Sequence, residues 1–141
     1  MKRGTIKGKR IENLIDRADF AIKFTFFLEA NWIIYSIIEN RVKSLTIEKL
    51  KLNPIRENYH GCIKVMVKEL SSNELIKNDV TLNLLTELDN WRLERNNIMH
   101  DLAKEELDFE RIQKATIIGR SLLAKIAAVN MKIKKKLNEK N

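Results

Sequence analysis

Between Leu84 and Leu102 the chain repeats large apolar side chains in alternating steps of four and three: Leu84, Leu88, Trp91, Ile98 and Leu102. Arg95 occupies the remaining place in that series. The spacing predicts a helix packed on other helices. At about 100° per residue, the apolar members all fall within roughly 60° of Arg95. Thr86, Asn97, Asn90, Asp101, Asn83 and Glu94 fall on the far side, which is therefore the solvated face. Arg95 thus points into the apolar stripe. A guanidinium stays charged in proteins, and burying it unpaired costs several kcal/mol. It must meet a carboxylate or line a cleft. Asn96 and His100, four residues apart, share one flank about 100–140° from Arg95.

The same periodicity predicts three further helices. The first runs from about Ile11 to Val42, with Leu14, Ala18, Ala21, Thr25, Leu28 and Trp32 as its stripe. Its segment Phe20–Ile38 is apolar on nearly all sides, which fits a bundle centre or a helix covered on a second side by a dimer. A connector, Lys43–Leu52, leads to Asn53-Pro54, an N-cap followed by proline at the first helical position of a short helix ending near Leu70. Ser71 and Glu74 have capping-box spacing, while Asn78 and Asp79 allow a later start for the long third helix. That helix reaches about Glu105. Asp108 can cap the fourth, with the stripe Ile112, Ala115, Gly119, Leu122, Ile126, Val129 and Ile133. Gly119 either permits a close helix approach or is a tolerated weak spot. The pattern predicts an all-α, antiparallel up-and-down bundle of four to five helices.

Composition agrees: 44% hydrophobic and 33% charged residues, four glycines and one proline describe one helical domain over residues 1–141. The basic ends, about 1–10 and 135–141, are expected to be loose. Lys2, Arg3, Lys7, Lys9 and Arg10 crowd the first ten residues, and Lys132, Lys134, Lys135, Lys136 and Lys140 the last ten. With a net charge of +8, these ends favour polyanions, nucleic acid before anionic membrane. The lone Cys62 reads as a small buried thiol, and His60 and His100 lack the spacing of a metal motif. No metal or cofactor is expected. Lys23, Glu29 and Asn31 interrupt the only stretch suggestive of a membrane span, and each ionic residue there costs roughly 3 kcal/mol. No membrane partner is expected, and the location predicted is cytoplasmic.

Arg95-Asn96-Asn97-Ile98-Met99-His100, on the third helix of a small all-α bundle, resembles the Arg-Asn-x3-His signature of the HEPN superfamily. The likeness extends to a long first helix, a motif near the end of the third and a long closing helix. Many HEPN proteins are metal-independent endoribonucleases, among them toxins, anticodon nucleases and phage-defence effectors. The resemblance implies RNA as substrate, a homodimer whose two motifs face one cleft at the two-fold axis, and a protein antitoxin in the toxin branch. It makes Arg95, His100 and Asn96 the catalytic candidates. An RNA 2′-hydroxyl would attack phosphorus, leaving a 2′,3′-cyclic phosphate and a 5′-hydroxyl. An imidazole titrating near ~6.5 suits the proton transfers. An arginine suits the transition-state charge, and the Asn96 amide suits orienting His100 or holding a phosphate.

Arg92, one turn before Arg95 and Asn96, is either a substrate-phosphate contact or half of a surface salt bridge. Glu29 and Glu39 are the candidate carboxylates for Arg95, although Glu39 is equally explained by pairing with Lys43. Leu102 stands where a subgroup neutralised by adenylylation carries tyrosine, so that mode of control is not expected. Two other readings remain: a non-catalytic HEPN-like module binding RNA, a nucleotide or a protein, and a helical interaction protein whose His100 merely sits on a flank.

Overall fold

In the computed structural model, residues 3–104 and 108–140 are described, with side chains from residue 6 onward. Lys2, the Arg3 side chain, Glu105 and Asn141 lie outside that range. The described chain is helical, with no strand: α1 (Arg3–Lys23), α2 (Phe27–Lys43), α3 (Tyr59–Lys68), α4 (Leu82–Ala103) and α5 (Phe109–Glu139). Two π-helical turns, Ser44–Lys49 and Ile76–Val80, extend α2 and precede α4.

The long first helix predicted over Ile11–Val42 is instead two helices. The chain reverses at Thr25, whose φ of 64° lies in the left-handed region, so that Arg17 meets Glu29 and Lys7 meets Glu48 across an antiparallel hairpin. No glycine or proline marks this turn, which is why periodicity runs through it. The predicted stripe fails accordingly. Ala18 and Ala21 are buried, but Leu14, Leu28 and Trp32 are exposed, Trp32 to 65%. After the reversal α2 buries Ala30, Asn31, Ile34, Ile37, Ile38 and Val42. It packs on α1, α3 and α5, the central place expected of its apolar segment.

Three helix starts differ from expectation in informative ways. α3 is capped by Asn58, whose side chain accepts from the Gly61 amide at 2.8 Å, and the residues around Asn53-Pro54 are not helical. α4 begins at Leu82 under a cap from the Thr81 hydroxyl, which accepts from Leu84 N at 3.2 Å. Asn73, not the Ser71–Glu74 pair, accepts from the Leu75 and Ile76 amides in the preceding turn. Asp108 caps α5 as predicted, accepting from Arg111 N at 3.2 Å.

The basic ends are also more structured than their composition suggests. α1 already includes residues 3–10, and α5 continues to Glu139. Lys132 and Lys136 both grip Asp79, at 3.0 and 2.5 Å, tying the end of α5 to the turn before α4. Hydrogen bonds from these ammonium groups, Lys136 first, hold the Asp79 carboxyl below its usual range. The folded state therefore takes up this proton at lower pH than the unfolded chain. The resulting stability is present above the ordinary carboxylate pKa and disappears as pH falls through the lowered value. Asp79→Asn should lower stability at neutral pH by on the order of 1–2 kcal/mol and flatten the acid limb of a denaturation-versus-pH profile. An unchanged acid limb would contradict this.

Gly119 is a site of close approach. A Cβ there would lie 2.5 Å from the Trp91 indole, which seats on α5 and donates from Nε1 to the Ala115 carbonyl at 2.8 Å. Gly119→Ala should cost about 1–3 kcal/mol through overpacking and alter the near-ultraviolet tryptophan dichroism. Equal melting temperatures for variant and parent would refute the close packing.

Candidate functional site

The seating of Trp91 sets the rotation of α4. Leu84, Leu85, Leu88, Trp91 and Ile98 turn inward, and Asn96 and His100 lie exposed on the flank. The opposite flank is clamped to α5. Arg111 binds Glu94 and Asp101, two turns apart on α4, the latter at 2.6 Å. These carboxylates push the Arg111 guanidinium further above its ordinary range.

Arg95 is half-buried, with its Cζ over the Tyr35 ring, 4.1 Å from the ring centroid. The same ring stacks on Tyr59 at 5.4 Å and leans on Trp91 at 6.1 Å, so α2, α3 and α4 share one aromatic column. The Tyr59 hydroxyl closes the column by donating to the Leu88 carbonyl at 2.8 Å. Burial pushes the Tyr35 phenol up, and Glu39 adds to that, while the Arg95 and Arg92 charges oppose it.

The proposed carboxylate partners do not meet Arg95. Glu29 is held by Arg17 at 3.1 Å and Glu39 by Lys43 at 3.7 Å, because the hairpin and the i,i+4 spacing bring those cations nearer. Among the described residues Arg95 forms no ion pair. Its one hydrogen bond, from Nη1 to Asn96 Oδ1, is a long 3.4 Å, and its buried Nε has no partner. A guanidinium has five N–H donors, so most of this one's capacity is unspent. Asn96 turns its carbonyl toward Arg95 and makes no hydrogen bond with His100. His100 is exposed and bonds to no described side chain.

Arg92 follows the salt-bridge alternative. Its side chain is only 13% exposed. Nε donates to Asp89 Oδ1 at 3.0 Å, and Nη2 lies 3.1 Å from His60 Nδ1 on α3. His60 Nδ1 also lies 3.2 Å from Asp89 Oδ1. Arg92 is thus a structural bridge between α3 and α4. Its i,i+3 spacing from Asp89 was readable in the sequence, whereas the approach of His60 depends on how the helices pack. Tyr35 also escaped the sequence reading. The available signal was a phenol within an otherwise apolar helix, where a polar tip tends to find a cation or a cleft.

Beside the motif, Leu14 of α1, Leu28, Trp32 and Ile33 of α2, and Met99 and Leu102 of α4, together with the paired Arg17 and Glu29, line a shallow, mostly apolar groove of about 480 Å³. Met99 and Leu102 flank His100 in sequence, so the groove borders the motif. Cys62 is buried, and burial pushes its thiol pKa up. Among the described residues no three His, Cys, Asp or Glu side chains gather as a metal-binding group, and no helix is long and apolar enough to cross a membrane. Compared with known protein families, curated proteins and solved structures, the chain finds no match.

The Arg95–Tyr35 contact is separable from the rest of the column. A double-mutant cycle with Tyr35→Leu and Arg95→Met should return a coupling of about 0.5–2 kcal/mol, and Tyr35→Phe should retain most of it. Additive losses in denaturant unfolding would mean that the guanidinium gains nothing from the ring.

Proposed function

We propose that the chain is a HEPN-type endoribonuclease, its helices forming an antiparallel up-and-down bundle and Arg95, Asn96 and His100 its catalytic group. The observation that carries this reading is the half-buried Arg95, unpaired with any described carboxylate and left with unspent donors beside Asn96 on the flank that bears His100. A charged group so placed favours an incoming anion, since a bound phosphate would supply the missing acceptors. His100, exposed on that flank, is free to take the 2′-hydroxyl proton or to protonate the leaving 5′-oxygen. Arg95 would stabilise the charge of the five-coordinate phosphorus, and Asn96 would steady Arg95 or a phosphate oxygen. None of these steps calls for a metal or cofactor.

The same reading gives the apolar groove to a second copy of the chain. Trp32, 65% exposed, and its neighbours would be covered at a two-fold axis, bringing two copies of the motif to one cleft. The protein would act in the cytoplasm on RNA, as a toxin or phage-defence effector, and an antitoxin protein would work by covering this face. A non-catalytic module that binds RNA, a nucleotide or a protein is the second reading. One observation favours it: among the described residues His100 has no hydrogen bond to orient its ring.

Cleavage of mixed-sequence RNA in the presence of a chelator decides between them. The parent should leave 2′,3′-cyclic phosphate and 5′-hydroxyl ends, with rates falling about 10²–10⁴-fold in His100→Ala and comparably in Arg95→Ala. Equal cleavage by all three proteins, or binding without cleavage, would remove the catalytic assignment.

A further inference from the structure

A second basic surface, made by residues outside the motif and outside both basic ends, lies along α3. His60, Lys64 and Lys68 recur every four residues along α3 and so line one side of it. Arg56 and the fully exposed Ile55, from the segment before the helix, face them across a groove of about 440 Å³. No carboxylate lines this groove. Arg56, Lys64 and Lys68 enter none of the ion pairs among the described residues.

The groove is a fixed feature of the backbone. Gly61 allows the Arg56 carbonyl to rest against the first turn of α3, where a Cβ would lie 2.0 Å from that oxygen. The Asn58 cap fastens the same turn. A glycine without a side chain therefore holds Arg56 beside the helical cations.

His60 connects this surface to the motif helix, and its hydrogen bonding is constrained. Arg92 can only donate, so in the tautomer that accepts its hydrogen bond at Nδ1 the ring proton sits on Nε2. The other neutral tautomer donates from Nδ1 to Asp89 Oδ1 and leaves Nε2 as an acceptor. With Arg92 on Nδ1, the ring N–H lies on Nε2, the atom not engaged by α4, and His60 lines the groove. Three cations and this donor, with no carboxylate among them, form a site for successive anionic oxygens. Ile55 adds an apolar wall suited to a base or sugar.

We propose that the α3 groove is a binding track for the phosphodiester backbone of a single RNA strand that continues to Arg95 and His100. The proposal rests on the ribonuclease reading for the strand being RNA and for where it ends, and on the groove itself for the phosphate contacts. Arg92 links to His60 at one end, and His100 lies eight residues further along α4, about 12 Å by helical rise. That length corresponds to roughly three to four stacked nucleotides at 3.4 Å each. The track would hold the strand flanking the bond to be cut.

Binding is tested in full-length protein carrying His100→Ala, using a labelled single-stranded RNA oligonucleotide and its 2′-deoxy counterpart. Phosphate recognition predicts similar affinity for the two. Lys64→Glu with Lys68→Glu, both at exposed positions, should weaken binding ten-fold or more and reduce the salt slope by about 1.4, from two lost phosphate contacts at ~0.7 each. Lys134→Glu with Lys135→Glu, the same charge change on α5, should have a smaller effect. His60→Ala should weaken binding several-fold, and His60→Gln, which keeps a donor near Nε2, should recover it. Equal losses from the α3 and α5 reversals, unchanged binding by the α3 variant, or no binding of either oligonucleotide would overturn the track. α3-dependent binding by a parent that never cuts RNA would refute the ribonuclease reading and leave the track standing. Cleavage by the parent with α3-independent binding would do the reverse.

Discussion

The contact between the Trp91 indole and α5 governs the rest of the site. Gly119 leaves room for the ring, and the Ala115 carbonyl takes the indole proton, so α4 has one rotation at this point. A helix phase fixed here is fixed two turns away as well, because backbone hydrogen bonding makes a helix stiff in torsion. Arg95 is thereby laid on Tyr35, and His100 is turned to solvent. The Arg111 clamp on Glu94 and Asp101 holds the same phase from the other side. A substitution at Gly119 would therefore be felt at residues it does not touch.

Three arginines near α4 show how burial and pairing divide roles among identical side chains. Arg111 has two carboxylates and Arg92 has one, with a histidine besides. Among the described residues Arg95 has an aromatic face, one long contact to an amide and a buried Nε without a partner. Stacking on a ring offsets part of the desolvation of a guanidinium without using its in-plane donors. Tyr35 can thus keep Arg95 in a half-buried position while leaving its donors open to an anion.

Much of this was legible in the residue pattern. The helical class, the stripe on α4, the placement of Arg95 toward the interior and the flank shared by Asn96 and His100 follow from spacing, and the Asp108 cap from residue type; at Gly119 the sequence left a close approach and a weak spot open, and the Trp91 contact decides for the first. The turn at Thr25 was not legible, because a threonine with positive φ carries no composition signal and the four-three rhythm continues through it. Missing that turn misplaced Trp32 and hid the pairing of Glu29 with Arg17, whereas Glu39 took the Lys43 alternative that its i,i+4 spacing offered. The link from the α3 groove to α4 was hidden for another reason: His60 and Arg92 are distant in sequence and meet only once α3 packs on α4. Charge counting pointed to the chain ends, yet Lys132 and Lys136 are occupied by Asp79 there.

The two tryptophans occupy opposite surroundings, Trp91 in the seam at 3% exposure and Trp32 on the surface at 65%. Their emission should separate accordingly, the first at short wavelength and insensitive to aqueous quenchers, the second red-shifted and open to them. The chain thus has two intrinsic optical probes, one for the packing that sets α4 and one for the face beside the motif. Anything that covers the groove while leaving the core intact would shield the second and leave the first unchanged.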